Sequence, residues 1–173
     1  SITNPGLYFG DPAVTRRLAL ACNEYGAELV QAHPTRFGLF AAMPLPDVDA
    51  TLAEIEYAYD TLNVDGVGVM TSYDENMWLG DPAFRPVMAE LDRRRAGVHL
   101  HPPAANCCRN LAYGVAPGRM EYATDTSRAL WVSRSAATPR CSPIFVSSGR
   151  TPAGRCRFWQ DVSTPPPPTL RIA

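Results

Sequence analysis

Three short apolar stretches, FGLFAAMPL at 37–45, DGVGVMTS at 65–72 and AGVHLHP at 96–102, alternate with segments of helical period, and this alternation most constrains the fold. A short apolar run bounded by turn residues predicts a strand buried on both faces. The strands are expected near 38–43, 65–70 and 97–101. Ahead of the first, Val14, Leu18, Ala21, Tyr25 and Leu29 recur at three and four, with Asp11 and Pro12 placed to cap and open a helix that ends before Pro34. A second helix is predicted from an Asp47 cap through Leu52, Ile55, Tyr59 and Leu62, with Glu54 and Glu56 toward solvent. A third presents Phe84, Val87, Met88 and Leu91 on one face and ends in Arg93, Arg94 and Arg95, which suits the negative end of the helix dipole. Pro86 would break a helix begun at Pro82, so Asp81–Phe84 reads as a turn and the regular helix starts near Pro86. Repeated strand–helix units require parallel strands with right-handed crossovers, an α/β fold. Periodicity alone leaves a doubly wound sheet and a barrel both open.

Beyond Pro102 a long loop leads to a further helix, expected from Arg119 and losing its period at Leu130. There the composition changes. Residues 1–130 carry ten Arg against sixteen Asp and Glu, whereas 131–173 carry six Arg against Asp161 alone. These Arg lie singly among Pro, Ser and Thr, which argues against a nucleic-acid-binding block. No run of about 18 apolar residues could span a membrane, and nothing resembles a signal peptide. The 46% hydrophobic and 19% charged content fits a soluble domain. Five Cys, with Cys107 and Cys108 adjacent, match neither zinc-ligand spacing nor a disulfide framework, so reduced thiols and a cytoplasmic setting are expected.

One constellation carries metal chemistry. In VHLHP the period of two puts His99 and His101 on one face of a strand, with His101 at the carboxyl end, where α/β folds place ligands. Neutral imidazole is a common zinc ligand. Two His fall short of the three or four ligands a site needs, and taken on their own these residues are better explained as hydrogen-bonded core or loop His. Glu121, Asp125 and Arg128, spaced four and three apart, could clamp a substrate, although this pattern more commonly makes a solvated row of salt bridges. Cys107 or Cys108 lacks an activating base, and Tyr73 and Trp78 could either line a pocket or cover the core.

The motifs RFGLFAAMPLPD (36–47), LGDPAF (79–84) and H-L-H-P (99–102), within a match over roughly residues 1–130, resemble the amidohydrolase-related decarboxylases. That family includes aminocarboxymuconate-semialdehyde and γ-resorcylate decarboxylases. The resemblance implies part of a (β/α)8 TIM-type barrel, about strands three to five with their helices. It implies a divalent metal, zinc or manganese, with His101 as a ligand at the end of the fifth strand, and assigns no role to His99. It further implies a small carboxylic acid of aromatic or muconate type as substrate, no nucleic-acid or membrane partner, and it admits a homodimer. A hydrolase of the same superfamily and a non-catalytic α/β module are the alternatives. The family's His-x-His pair and its Asp ligand have no counterparts here, so no catalytic residue is assigned and the chain as given is expected to be inactive without its metal.

The family's catalytic His stands in a Ser-His-Gly/Ala-Gly-Gly motif, about where this chain reads IFVSSGRTPAG at 144–154. All sixteen basic residues are Arg, which suggests a gene rich in G and C. With permitted G+C-rich codons, regrouping from the last base of Gly149 reads Ser-His-Ala-Gly-Gly-Thr-Leu-Pro-Phe. Residues 131–173 are therefore expected to be an out-of-frame, irregular tail, with the shift near Leu130–Ser133.

Overall fold

The computed structural model describes residues 6–73, 77–103, 114–135 and 144–146, with only the backbone of 117–120, 133–135 and 144–146. The chain opens with α1 (Pro12–Ala32), followed by β1 (Phe40–Ala42), α2 (Val48–Asp60) and β2 (Gly66–Met70). A two-stranded antiparallel hairpin, β3 (Ser72–Tyr73) and β4 (Met77–Trp78), follows, then α3 (Arg85–Arg93), β5 (Gly97–His101), α4 (Pro117–Ser135) and β6 (Ile144–Val146). The main sheet runs β1-β2-β5-β6, every neighbouring pair parallel. Each crossover adds its strand on the same side, without the reversal of order that marks a doubly wound sheet.

The helix starts follow the sequence closely. Asp11 accepts from the amides of Ala13 (2.8 Å) and Val14, and Asp47 accepts from the Ala50 amide at 3.0 Å. A single 3-10 turn occupies Pro82–Phe84, with the Asp81 carboxylate on the Ala83 amide at 2.9 Å, and α3 begins immediately after it. Pro86 then sits in the first turn of α3, where its missing N–H removes no helical bond.

Among the described residues the strands are covered on one face, not on both. Ala41, Val67, Val69, Val98 and Leu100 are buried in a core with Ile55 and Ala58 of α2 and Val87 and Leu91 of α3. The alternate residues Phe40, Ala42, Gly68, Met70, His99 and His101 are half-buried or exposed, and Phe40 retains 42% of its surface. The described helices cover a single layer, so the other face of a parallel sheet is left partly open.

The face of α1 also differs from the expected one. Its buried residues are Thr15, Ala19 and Asn23, while Leu18 and Tyr25 are exposed. The reason is a polar contact: the Asn23 side-chain amide donates to the Ala42 carbonyl at 2.9 Å and accepts from the Ala42 amide at 2.7 Å. Asn23 thereby pairs with β1 as a neighbouring strand would. Its amide also donates to Glu54 at 2.7 Å, so Glu54 is not a solvent-facing bystander; burial is the main cause raising its pKa.

The expectation of irregular backbone from residue 131 is overturned at two places. Helix α4 continues to Ser135, and Ile144–Val146 forms a strand beside β5, in the register Gly97↔Ile144 to His99↔Val146. Ile, Phe and Val favour strands, and the edge of β5 offers unpaired backbone groups to such a segment. The remainder of the tail, including the four prolines at 165–168, lies outside the described residues.

Candidate active-site rim

Parallel strands of α/β sheets deliver their functional side chains at their carboxyl ends. His101 closes β5 there. Its ring lies 6.3 Å from that of His99, on the same face as the strand period requires, and 6.5 Å from the Tyr122 ring on α4. The His101 Nδ1 is buried and has no hydrogen-bond partner among the described residues. Burial, and then the neighbouring His99, hold its imidazole below the usual range, favouring the neutral form that can act as a ligand. His99 packs instead near Phe40, ring centres 6.2 Å apart.

Around the adjoining end of β2 the chain builds a cluster that its sequence does not announce. Asp125 of α4 is fully buried, and Glu121 retains only 6% of its surface, so these carboxylates are not a solvated row. The Asp125 carboxylate accepts from the Trp78 indole N–H at 2.8 Å, from the Ser72 hydroxyl at 3.1 Å and from the Thr71 hydroxyl. Arg128 lies 3.6 Å from Glu121 and 3.7 Å from Asp125, closing the group electrostatically. Burying the Asp125 carboxyl is tolerable because it is both hydrogen-bonded and near a cation.

Backbone bonds tie this cluster to His101. The Thr71 amide donates to the His101 carbonyl at 3.0 Å, and the Thr71 carbonyl accepts from the Leu79 amide at 3.1 Å. Trp78 therefore belongs to the rim. Tyr73 does not: it is buried, its ring meets Phe84 edge-on at 5.7 Å, and its hydroxyl accepts the Met70 amide at 2.8 Å. Burial raises the Tyr73 pKa strongly, so it serves as a core pin. Cys107 and Cys108 lie outside the described residues. The sequence gives no local sign of the burial of Asp125, because the hydroxyl and indole donors that it binds stand at least 47 positions away.

The donor chemistry at His101 fits one metal-ligand position, since a buried, neutral and unpartnered ring nitrogen ends the strand. Among the described residues no three His, Cys, Asp or Glu side chains converge as a metal site, and Asp125 is occupied by its own hydrogen bonds.

The described residues form an α/β fold with a parallel sheet and an imidazole at its carboxyl rim. Residues 2–146 match the amidohydrolase family, and the chain belongs to it. Over 106 residues it is 47% identical to the 6-methylsalicylic acid decarboxylase of Penicillium expansum, covering 59% of this chain and 32% of that protein. The chain thus spans about a third of the length of the curated relatives it matches. A crystal structure of an amidohydrolase II superposes with a TM-score of 0.70 at 31% identity, covering 77% of this chain and 44% of the other. A dihydroxybenzoic acid decarboxylase from Polaromonas sp. JS666, solved with manganese and the inhibitor 2-nitroresorcinol, superposes with a TM-score of 0.67 at 20% identity, covering 72% and 40%. No described helix is long and apolar enough to cross a membrane.

Proposed function

We propose that this chain carries the third to fifth strands of a (β/α)8 barrel from a metal-dependent decarboxylase that acts on an aromatic carboxylic acid. The observation that carries the reading is His101, with its buried and unpartnered Nδ1 at the carboxyl end of β5. The one-directional strand order supports the barrel, and the partly open sheet face corresponds to its interior. The relatives named for 6-methylsalicylic acid and dihydroxybenzoic acid support the substrate class, and manganese in one neighbour supports the metal.

When bound, a divalent metal supplies positive charge that polarises the substrate carboxylate or an adjoining oxygen. His101 contributes one neutral nitrogen, held neutral by burial. Met70, level with His101 in the neighbouring strand, offers apolar contact to an aromatic ring, whereas Phe40 lies at the amino end of the same face. On this reading the remaining ligands and the general acid belong to the full-length enzyme, and the 173-residue chain holds no metal and releases no carbon dioxide. Stoichiometric zinc or manganese in the purified chain would overturn that part. The ligand role is tested by grafting residues 11–135 into the Penicillium enzyme in place of the corresponding segment. The hybrid should release carbon dioxide from 6-methylsalicylic acid only with divalent metal, and His101→Asn should remove metal and turnover together. Retained metal and normal turnover in that variant would refute the assignment.

A further inference from the structure

We infer that Asp125 is a positioning residue: its buried carboxylate gathers Thr71, Ser72 and Trp78 and, through Thr71, fixes the end of β5 from which His101 projects. The inference rests on His101 being the functional group of the rim. Three donors converge on the one carboxylate, from the end of β2 and from both strands of the hairpin. Thr71 is the hinge of the arrangement, because its hydroxyl is held by Asp125 while its amide holds the His101 carbonyl at 3.0 Å. Thr71 is fully buried, so no water replaces these bonds without opening the rim. The Leu79 amide on the Thr71 carbonyl carries the same restraint into the residue after Trp78. A lone core carboxylate would stabilise the fold without any of these links to β5. Here the backbone of the proposed ligand is two hydrogen bonds and one intervening residue, Thr71, from the carboxylate, and the imidazole inherits that fixed origin.

The test uses the full chain, labelled for NMR, without metal or substrate. Thr71→Val replaces the hydroxyl by a methyl of similar size, and Thr71→Ser keeps the hydroxyl. In Thr71→Val, hydrogen exchange at the amides of residues 71 and 79 and at the Trp78 indole should accelerate by about tenfold or more. The Ala96 and Thr51 amides, bonded within other elements, should change far less. The His101 ring resonance should shift or broaden in Thr71→Val and return in Thr71→Ser. Asp125→Ala should reproduce the Thr71→Val pattern; where it fails to fold, the Thr71 pair decides. Equal acceleration at every amide, or identical His101 signals in the Val and Ser variants, would overturn the inference. Because neither metal nor acid enters the measurement, its failure leaves the ligand role of His101 standing, and failure of the grafted enzyme leaves this restraint standing.

Discussion

At the residue scale, two glycines that look alike in the sequence have different work in the fold. Gly66 and Gly68 both lie in β2, and both suit close backbone approach. A Cβ at Gly66 would stand 2.5 Å from the Gly97 carbonyl oxygen and 2.5 Å from a Phe40 ring carbon, whereas at Gly68 the nearest atom is the Ala41 carbonyl oxygen at 3.8 Å. The first clash involves backbone in the neighbouring strand and cannot be relieved by a rotamer change. Gly66→Ala should therefore destabilise by about 1–3 kcal/mol, while Gly68→Ala should be close to neutral. Urea unfolding midpoints of the two variants check this, and equal midpoints would refute the packing argument. The sequence shows that this strand needs small residues, but not which one meets a backbone. The same limit applies to Asp125 and Asn23. Each is a polar residue on a helix whose burial is decided by strands far away in sequence, so helical period alone assigns them to solvent or leaves them out.

At the element scale, the legible part was the type and order of the units. Caps at Asp11 and Asp47 and the proline break before α3 are local chemistry, and the structure follows them. The orientation of α1 was not legible, because its apolar period points to one side while Asn23 binds the other to β1. The end of α3 shows a second tertiary choice. Arg94 reaches Asp60 at the end of α2 with two bonds, of 2.6 and 2.9 Å, and also bonds Glu90, while its guanidinium stands 5.6 Å from the Tyr59 ring centre. Hydrogen bonds from Arg93 and then Arg94 lower the Glu90 carboxyl to about 2. A carboxyl whose folded pKa is depressed binds fewer protons than its unfolded counterpart. Its contribution is present above the ordinary Glu range near 4.5 and is lost as pH falls toward 2. Glu90→Gln should therefore flatten the loss of thermal stability between those two pH values, with little change near neutrality beyond a small, salt-screened effect. Melting temperatures across that window provide the measurement, and parallel curves for both proteins would exclude a role for the Glu90–arginine bonds in acid unfolding.

For the whole molecule, the question is what the chain after α4 was built to be. Strand β6 takes the position beside β5 that the next strand of a barrel would take, and its register sets Val146 level with His99. That level is two positions short of the carboxyl rim at His101, the last residue of β5. In the present reading no His follows His101 anywhere in the sequence. In the regrouped reading an apolar strand continues into Ser-His-Ala-Gly-Gly, which brings an imidazole to that rim and gives the backbone glycines for a tight turn beside the ligand. The short strand seen at Ile144–Val146 weighs against the out-of-frame reading, since such a tail is expected to be irregular and the regrouped codons place a charged Asp-Ile-Arg-Phe run there. We propose that the tail is an out-of-frame translation, and the expected outcome is specific. Restoring one base near the codons for residues 130–133 should open the sequence Phe-Ile-Trp-Ser-His-Ala-Gly-Gly-Thr-Leu-Pro-Phe. A restored gene that also encodes the upstream His-x-His pair should yield a metal-dependent enzyme. Replacing the recovered motif His there should abolish turnover while leaving much of the metal bound, because that His serves proton transfer and not metal coordination. Nucleotide reads across this region that keep the present frame, with no His codon in the alternative one, would remove the proposal and make the Arg- and Pro-rich tail a genuine extension of the domain.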